Sequence, residues 1–475
     1  MKAKIIGFML CCALIMQAKI TLQPMFSNNM VLQQRTDAPV WGGAIPNGSV
    51  RITTSWNKKT YTVVADGQGK WTAKVATPAA GGPYSITISD SDGEPVVLED
   101  VLIGEVWLCT GQSNMEMPME GWNIKTNAAE IAASGRYKNI RLLRVEQALN
   151  ATPQTAVKVR HGGWTHCSPE TVHDFSATAY FFGRHLYQDR HVPIGLIMTC
   201  WGGTPIEAWI GQESLRTKPE FKTLPAVTNT DNPCIPTVLF NGMIQPLVPY
   251  AVKGAIWYQG ESNAPRAYQY RELLPLMIHD WRTRWGCDFP FYIAQLANYM
   301  HRKAQPMESE WAELREAQLK ALSVKNTGMA VLIDVGMAED IHPIDKQTVG
   351  DRLGMAARAT AYGEKIAYSG PIYERHQLEG NKIRLFFKHT DKGLRAHDGQ
   401  PLKGFAVAGL DHVFHWATAH IDGSTVVVES PDVALPIAVR YAWADNPECN
   451  LYNGVGLPAS PFRTDDWQGI TYGRK

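Results

Sequence analysis

Apolar and polar residues alternate with a period of two along the first hundred residues of the chain. The stretch Trp71–Val75 places an apolar side chain at every second position, and the pairs Asp66-Gly67 and Asp92-Gly93 are typical of tight turns. Alternation of this kind exposes one face of a strand to water and buries the other. The pattern predicts a small antiparallel β domain over residues 19–100.

The pattern changes over residues 101–366, where short apolar runs of strand length alternate with helical periodicity. The runs are Val106–Cys109, Ile140–Leu143, Ile194–Met198, Ala255–Tyr258, Phe291–Leu296 and Ala330–Ile333. Apolar residues recur three or four positions apart from Tyr270 to Trp285, and Gly286 follows as a C-cap. Asp345 is positioned to cap a later helix. Strands that alternate with helices predict an α/β domain with a parallel sheet covered on both faces.

A period of two returns over residues 367–475. The segment Ile437–Trp443 alternates, and Asp422-Gly423 predicts a hairpin turn before Thr425–Glu429. The chain is therefore organised as β, then α/β, then β. Domain termini often lie close together, which would let the last β segment pack against the first.

The N-terminal end resembles a targeting segment. Lys2 and Lys4 precede an apolar run from Ile5 to Met16, and the small residue Ala18 follows. A bilayer requires about 20 apolar residues, so this run is too short to be a membrane span. We expect residues 1–18 to be a signal peptide and the mature protein to be exported, either to the periplasm or out of the cell.

Composition narrows the range of partners. The 475 residues are 45% apolar, which is enough for substantial cores, and 46 Lys and Arg against 45 Asp and Glu give a net charge of +1. Proteins that depend on phosphate contacts usually carry a marked basic excess. We therefore expect no nucleic-acid partner.

Residues with reactive or hydrogen-bonding groups follow several of the predicted strands. Ligands bind at the carboxyl ends of parallel strands, so these residues should share one rim. Ser113 follows the first run, and its own amide could help to hold an oxyanion. Gly202 and Gly203 follow the third run, where glycines let backbone amides approach a ligand.

Two further loops complete this rim. Gln259–Asn263 follows the fourth run and supplies side-chain amides for an oxyanion, while Glu261 within it is either a general acid or a buried carboxylate held by those amides. His342, with Asp340 or Glu339 beside it, follows the last run. A serine nucleophile needs a base that a carboxylate orients, and this loop supplies both.

Several sequence blocks together resemble the sialate O-acetylesterase-like carbohydrate esterases of the GDSL/SGNH hydrolase superfamily. The blocks are SNNMVLQQ (27–34), GEVWLCTGQSNMEMP (104–118), WGGTPIEAW (201–209), WYQGESNA (257–264), DIHP (340–343) and LPASPFRTDDW (457–467). They extend over nearly the whole mature chain. The resemblance implies a flavodoxin-like, three-layer α/β core, flanked by N- and C-terminal segments that resemble β-sandwiches or jelly rolls.

The resemblance also implies a reaction, the hydrolysis of an O-acetyl ester on a carbohydrate without a metal or organic cofactor. It assigns Ser113 as nucleophile, His342 as general base and Asp340 as the acid that orients it. The substrate would be an acetylated sialoglycan or, alternatively, an acetylated plant polysaccharide such as xylan.

Some positions stay open within this resemblance. The superfamily usually places the acid three residues before the histidine, where this chain has Glu339. The oxyanion hole would combine the amides of Ser113 and Gly203 with the side chain of either Gln259 or Asn263. The candidate substrate-binding residues are Gln112, Trp201, Glu261 and Arg266.

Other interpretations use different residues. A glycoside hydrolase would use two carboxylates, such as Glu116 and Glu261. A non-catalytic carbohydrate-binding protein would use Trp122, Trp201 and Trp257 for stacking, but it would not need His342 at the same rim. We expect the histidines in the last β segment to be ordinary surface residues rather than metal ligands: His412, His415 and His420.

Overall fold

A computed structural model describes residues 20–91, 93–122, 124–224, 227 and 231–475. The predicted signal peptide and Asp92 of the second predicted turn lie outside the described residues. Within them, no helix is both long enough and apolar enough to cross a membrane.

The N-terminal segment consists of strands in two sheets, and their pairing is antiparallel, as the alternation predicts, except that β2 pairs with β8 in parallel. Its strands are β1 Thr21–Leu22, β2 Val31–Gln33, β3 Asp37–Gly43, β4 Ser49–Thr54, β5 Thr60–Val64, β6 Lys70–Ala76, β7 Gly81–Ser89 and β8 Val96–Gly111. One sheet has the order β1-β3-β6, and the other links β5, β4, β7, β8 and β2. Every second residue of β4 is buried, so Val50 and Ile52 point into the core while their neighbours face solvent.

Strand β8 belongs to two parts of the protein at once. Its first half pairs with β7 and β2 of the N-terminal segment, and Glu105–Gly111 pairs with the parallel sheet of the next domain. The expected boundary between residues 100 and 101 therefore falls inside one continuous strand of 16 residues.

The α/β domain is built on a sheet that is parallel apart from one edge strand. Its further strands are β9 Ile140–Arg144, β10 Thr165–His166, β11 Ile194–Cys200, β12 Gly254–Tyr258, β13 Phe291–Ala294 and β14 Thr327–Ala330. The order across the sheet is β10-β9-β11-β8-β12-β13-β14, with β10 antiparallel to β9. In a flavodoxin-like sheet the first strand would lie between the second and third. Here the first strand, β8, lies between β11 and β12, and the strands β11-β8-β12-β13-β14 follow this flavodoxin-like order, while β9 is an additional strand beyond β11.

Helices cover both faces of this sheet. They are α1 Ser113–Glu116, α2 Ala128–Ala133, α3 Pro169–Val172, α4 Ala177–Arg190, α5 Gln212–Leu215, α6 Ala267–Trp285, α7 Glu310–Lys320 and α8 Lys346–Thr360. A π-helical turn spans Phe240–Ile244, and 3₁₀ turns span 134–136, 160–162, 206–209, 219–221, 245–247, 261–266 and 321–323.

Two tryptophans show how the layers are arranged. The ring of Trp107 on β8 lies 5.0 Å from Phe182 of α4, and the ring of Trp257 on β12 lies 5.9 Å from Trp281 of α6. Trp257 is in register with Thr110, three residues from Trp107, so the two indoles point to opposite faces. The sheet is thus the middle layer, with α4 on one face and α6 on the other.

Both helix caps expected from the sequence are confirmed. Gly286 ends α6 in the left-handed region at φ 68°, and the side chain of Asp345 accepts the amide of Thr348 at the start of α8. Two strands differ from their predictions, the first being β13, which ends at Ala294 rather than at Leu296. The last run was expected at Ala330–Ile333, but β14 ends at Ala330, because Thr327–Ala330 is the part in register with β13.

The C-terminal segment has its own core between two sheets. Its strands are β15 Ile372–Glu379, β16 Lys382–Lys388, β17 Leu394–Ala396, β18 Phe405–Ala408, β19 Phe414–Trp416, β20 Thr418–Asp422, β21 Thr425–Glu429, β22 Ala438–Tyr441, β23 Leu451–Asn453 and β24 Phe462–Arg463. The sheets β15-β16-β21-β20 and β19-β18-β22-β24 both contribute apolar side chains to this core, and β17 pairs with β23. The hairpin at Asp422-Gly423 is confirmed.

A buried arginine attaches this segment to the α/β domain. The guanidinium group of Arg315 on α7 donates to the carbonyl oxygens of Ala444 and Asp445 at 2.7 and 2.8 Å. Arg463 forms a second link, an ion pair with Glu316 at 3.0 Å. The C-terminal segment is therefore anchored on the helical layer that contains α7.

Candidate active site

Ser113 closely follows strand β8, which pairs both with strands of the N-terminal segment and with the parallel sheet of the α/β domain. Strand β8 ends at Gly111, and Ser113 is the first residue of the short helix α1. Gly111 has φ 144°, and a Cβ atom there would lie 2.1 Å from the carbonyl oxygen of Tyr258. Only glycine lets the chain turn so close to β12, and this turn presents the half-buried Ser113 at the carboxyl edge of the sheet.

His342 reaches Ser113 from the loop between β14 and α8. Its Nε2 atom lies 3.0 Å from Oγ of Ser113, and its Nδ1 atom lies 3.2 Å from Oδ1 of Asp340. The same carboxylate oxygen accepts the backbone N–H of His342 at 2.9 Å. When Nδ1 carries the proton and donates it to Asp340, Nε2 is left to accept the serine hydroxyl.

The two neighbouring carboxylates of this loop have different surroundings. Asp340 contacts the imidazole, whereas the side chain of Glu339 is 77% exposed and lies 3.4 Å from Nδ1 of His301. Of the two candidates for the orienting acid, Asp340 is therefore the one in contact with His342.

The surroundings of His342 favour its neutral form. Burial lowers the pKa of His342 below its ordinary value of 6.5, and the charge of Lys346 lowers it further, while Asp340 opposes the shift. A neutral imidazole is the form that can accept a proton. The indole of Trp122 lies edge-on to His342, with ring centroids 5.6 Å apart, and it is 45% exposed at the rim.

The glycine turn after β11 lies directly beside Ser113. A Cβ atom on Gly202 would lie 3.2 Å from Cβ of Ser113. The amide of Gly202 already donates to the carboxylate of Glu116 at 2.6 Å. Gly203 has φ 74° and open space around its Cα, so it is the residue of this turn with room for a ligand.

The two candidate side-chain amides are both fully buried, but their hydrogen bonds differ. Nε2 of Gln259 donates to the carbonyl oxygen of Thr204 at 3.2 Å and to Oδ1 of Asn263 at 2.7 Å, which uses both of its N–H groups. Nδ2 of Asn263 donates to Glu207 at 3.0 Å and retains a second N–H. Of the two, only Asn263 therefore keeps an N–H group that is not donated to a described residue.

The other residues considered for substrate binding differ in burial, and two of them are already bonded to other protein groups. Oε1 of Gln112 accepts the amides of Gly260 and Ser262, each at 3.3 Å, so Gln112 links two loops. Arg266 forms an ion pair with the buried Glu207. Trp201 remains half-buried beside the glycine turn, whereas Trp257, considered for sugar stacking, is completely buried.

Glu261 belongs to a buried network that the sequence did not reveal. Its Oε1 atom accepts Nδ2 of Asn114 at 2.6 Å, and Nζ of Lys346 donates to Oδ1 of the same carboxamide at 2.5 Å. Nδ2 of Asn114 also donates to the carbonyl oxygen of Ile341 at 3.0 Å. The carboxamide of Asn114 therefore joins the loop of Ser113 to the loop of His342.

Burial changes the ionisation of both charged groups in this network. Lys346 is fully buried, and burial lowers its pKa to about 7 against the opposing charges of Glu261 and Asp340. Burial likewise raises the pKa of Glu261, against hydrogen bonds from groups that include Asn114. In the sequence, Lys346 is only a charged residue in the first turn of α8, and no motif indicates that it is buried.

A cavity of about 250 Å³ adjoins the glycine turn. Its lining includes Glu116, Arg144, Gln147 and Arg160. Glu116 also accepts the Gly202 amide, which links the cavity to the glycine turn, but neither Ser113 nor His342 is in its lining. Burial raises the pKa of Glu116, and the hydrogen bond from Gly202 opposes this shift.

Comparisons with known proteins identify what this arrangement resembles. Residues 103–357 match a family model described as carbohydrate esterase, sialic acid-specific acetylesterase. The chain is 33% identical to human sialate O-acetylesterase, over 92% of this chain and 91% of that protein, and 30% identical to the mouse enzyme, over 92% of each. A solved carbohydrate acetylesterase from Xanthomonas citri superposes with a TM-score of 0.87 at 40% identity, over 94% of this chain and 100% of that one.

Proposed function

Because the chain belongs to the family of sialic acid-specific acetylesterases, which are carbohydrate esterases, we propose that it removes O-acetyl groups from sugars with a Ser113–His342–Asp340 triad. The observation that carries this proposal is the pair of contacts on His342. Nε2 is within hydrogen-bond distance of Ser113, and Nδ1 is within hydrogen-bond distance of Asp340.

In the first half of the reaction, Oγ of Ser113 attacks the acetyl carbonyl carbon while Nε2 of His342 takes the hydroxyl proton. Asp340 stabilises the imidazolium that forms. The carbonyl π electrons move to oxygen, and this oxyanion is held by the amides of Ser113 and Gly203 and by the free N–H of Asn263. When the intermediate collapses, the bond to the sugar oxygen breaks and His342 protonates that oxygen.

In the second half, water attacks the acetyl group on Ser113 and His342 takes a proton from it. The new tetrahedral intermediate uses the same donors, and its collapse releases acetate and restores the serine hydroxyl. Each backbone donor is expected to contribute about 3 kcal/mol to transition-state stabilisation. The second carboxylate that a glycoside hydrolase would need, Glu261, is nine-tenths buried and bonded to Asn114, which favours the esterase mechanism.

The substrate is proposed to be an acetylated sialic acid, with acetylated xylan as a second candidate. Arg266, the cation nearest the Gln259–Asn263 block in sequence, is paired with Glu207 and is not free to bind a sugar carboxylate. The cavity of about 250 Å³ that Glu116 lines has both arginines and glutamates around it. This mixed charge gives no strong preference for an acidic sugar, and we expect neutral acetylated sugars to be accepted as well.

Acetate release from a panel of acetylated sialosides, xylo-oligosaccharides and pectins tests both the reaction and the substrate. We expect wild-type protein to release acetate and Ser113→Ala to release none, with an unchanged thermal unfolding midpoint. Full activity in Ser113→Ala would contradict the proposal. Preference for xylo-oligosaccharides over sialosides would select the second substrate.

We also propose that the enzyme is exported after removal of residues 1–18. Expression of the full chain in a bacterial host, followed by N-terminal sequencing of the extracytoplasmic fraction, tests this. A mature protein that begins at Lys19 is expected. Recovery of uncleaved protein from the cytoplasm alone would contradict it.

A further inference from the structure

A trough lies between the loop of residues 299–308 and the C-terminal β segment. It consists of two adjoining cavities of about 160 and 320 Å³, which share Pro306, Gly404, Trp416 and Trp443 in their linings. None of these residues belongs to the proposed active site.

Aromatic side chains form much of the trough. Trp416 is 45% exposed, and its Nε1 atom donates to the carbonyl oxygen of Ala304 at 2.9 Å, which fixes the indole across the loop. Trp443 and Phe414 line the smaller cavity, and the guanidinium group of Arg440 lies 4.2 Å from the ring centroid of Phe414. An exposed indole held in place by a hydrogen bond offers a flat apolar face at little entropic cost.

Two buried polar atoms beside these rings have no partner among the described residues. They are Nε1 of Trp443, a residue that is 7% exposed, and Oε2 of Glu308, whose side chain as a whole is 36% exposed. The other oxygen of Glu308 accepts a hydrogen bond from Arg440 at 2.7 Å. A buried donor or acceptor without a partner is costly, so a ligand that both accepts and donates hydrogen bonds would be stabilised here. Hydroxyl groups on a ring with an apolar face match this combination.

The trough is joined to the loop that carries the triad acid. The amide of Met300 donates to the carbonyl oxygen of Ala338 at 3.1 Å, and His301 contacts Glu339 at 3.4 Å. Asp340 follows directly in the chain, and Arg302, next to His301, already lines the larger cavity. The same loop therefore connects the trough with the proposed site.

We propose that this trough binds one sugar unit of an extended acetylated carbohydrate while the acetyl group of another unit lies at Ser113. The sugar stacks on Trp416 and bonds to Trp443 and Glu308. This inference rests on the proposed function for the identity of its ligand, and it adds a second point of attachment outside the triad.

Binding without turnover tests the trough separately from the reaction. Xylohexaose and sialyllactose, neither of them acetylated, are titrated into the full chain by calorimetry, and we expect at least one to bind. Trp416→Ala should weaken that binding about tenfold, and Trp416→Phe should restore most of it. Tyr472→Ala is the matched control, because Tyr472 is 49% exposed but lies outside the trough lining, and it should bind as wild type does. Absence of binding by both saccharides, or equal affinity in Trp416→Ala, would overturn the inference.

Kinetics provide the second measurement. The ratio of kcat/KM on an acetylated xylo-oligosaccharide to kcat/KM on a small acetyl ester should fall about tenfold in Trp416→Ala, through a higher KM on the oligosaccharide. If the wild-type protein releases acetate from the oligosaccharide but the ratio is unchanged in Trp416→Ala, the proposed sugar site in the trough is refuted and the proposed function is not. Failure of the wild-type chain to release acetate would refute the proposed function, and the binding result would still decide the trough.

Discussion

Nζ of Lys346 lies 2.5 Å from Oδ1 of Asn114, the residue that follows Ser113. The contact joins the first turn of α8 to the helix that begins at the proposed nucleophile. Nδ2 of Asn114 also donates to the carbonyl oxygen of Ile341, one residue before His342. Lys346 is therefore linked through Asn114 to the loops of both Ser113 and His342. We therefore predict a positioning role for Lys346, since its own bond is to Asn114 and not to a reacting group.

Lys346→Met should reduce kcat/KM about tenfold, because the variant removes one buried hydrogen bond that orients Asn114. It should also raise the midpoint of the acid limb of the pH–rate profile, because the charge of Lys346 lowers the pKa of His342. A loss of packing alone would not shift that midpoint. Lys320→Met is the control, because its side chain is 51% exposed. Wild-type rates and an unshifted midpoint in Lys346→Met would exclude the role.

The pH dependence of the wild-type reaction follows from His342. Its base form is neutral, and burial lowers its pKa below 6.5. Activity should therefore rise with pH, and it should be half-maximal below pH 6.5. The profile of kcat/KM for a small acetyl ester measures this midpoint. A midpoint above the ordinary histidine value would mean that the charge of Asp340 outweighs burial.

Asp340→Asn tests which of the two neighbouring carboxylates, Asp340 or Glu339, orients His342. The substitution removes the carboxylate that orients His342, so kcat should fall by roughly 10³–10⁴-fold, as in other serine triads. The acid limb of the profile should also move to lower pH, because the charge of Asp340 raises the pKa of His342. Glu339→Gln is the matched control, and it should retain nearly full activity because Glu339 is exposed. The reverse pattern would assign the acid to Glu339.

Gly111→Ala should destabilise the protein by about 3 kcal/mol, because the new Cβ atom meets the carbonyl oxygen of Tyr258. Gly363→Ala measures the cost of an alanine in the left-handed region without a steric clash. Gly363 has φ 71° with no atom near the added Cβ, so the variant should cost only about 1 kcal/mol. Urea unfolding of both variants measures the difference. Equal destabilisation would show that the close approach of β8 to β12 carries no cost of its own.

Much of the fold and part of the site could be predicted from local sequence patterns. The parallel sheet, α6 with its Gly286 cap and the hairpin at Asp422-Gly423 all depend on periodicity and turn residues a few positions apart. Ser113 and His342 could be placed on one rim because they follow strands of one parallel sheet. The choice between Asp340 and Glu339 depends on side-chain direction within a loop, which spacing does not specify.

The buried network and the strand order could not be predicted in this way. Lys346 is buried at the start of α8, where its ammonium group bonds to Asn114, and nothing in its neighbourhood along the chain distinguishes it from a solvated lysine. The position of β9 beyond β11 depends on which strand edges meet in three dimensions. Glu261 was considered either as a general acid or as a held carboxylate, and the structure shows the bond from Asn114 that holds it.

The sixteen-residue strand β8 ties the position of Ser113 to the integrity of two cores. Its N-terminal half pairs with β7 and β2, and its C-terminal half pairs with β11 and β12. Local unfolding of the small β domain would therefore loosen β8 and, with it, the position of the Ser113 hydroxyl group. We expect an excised α/β domain that starts at residue 101 to lose the pairing of β8 with β7 and β2, and therefore to hold Ser113 less firmly than the full chain does.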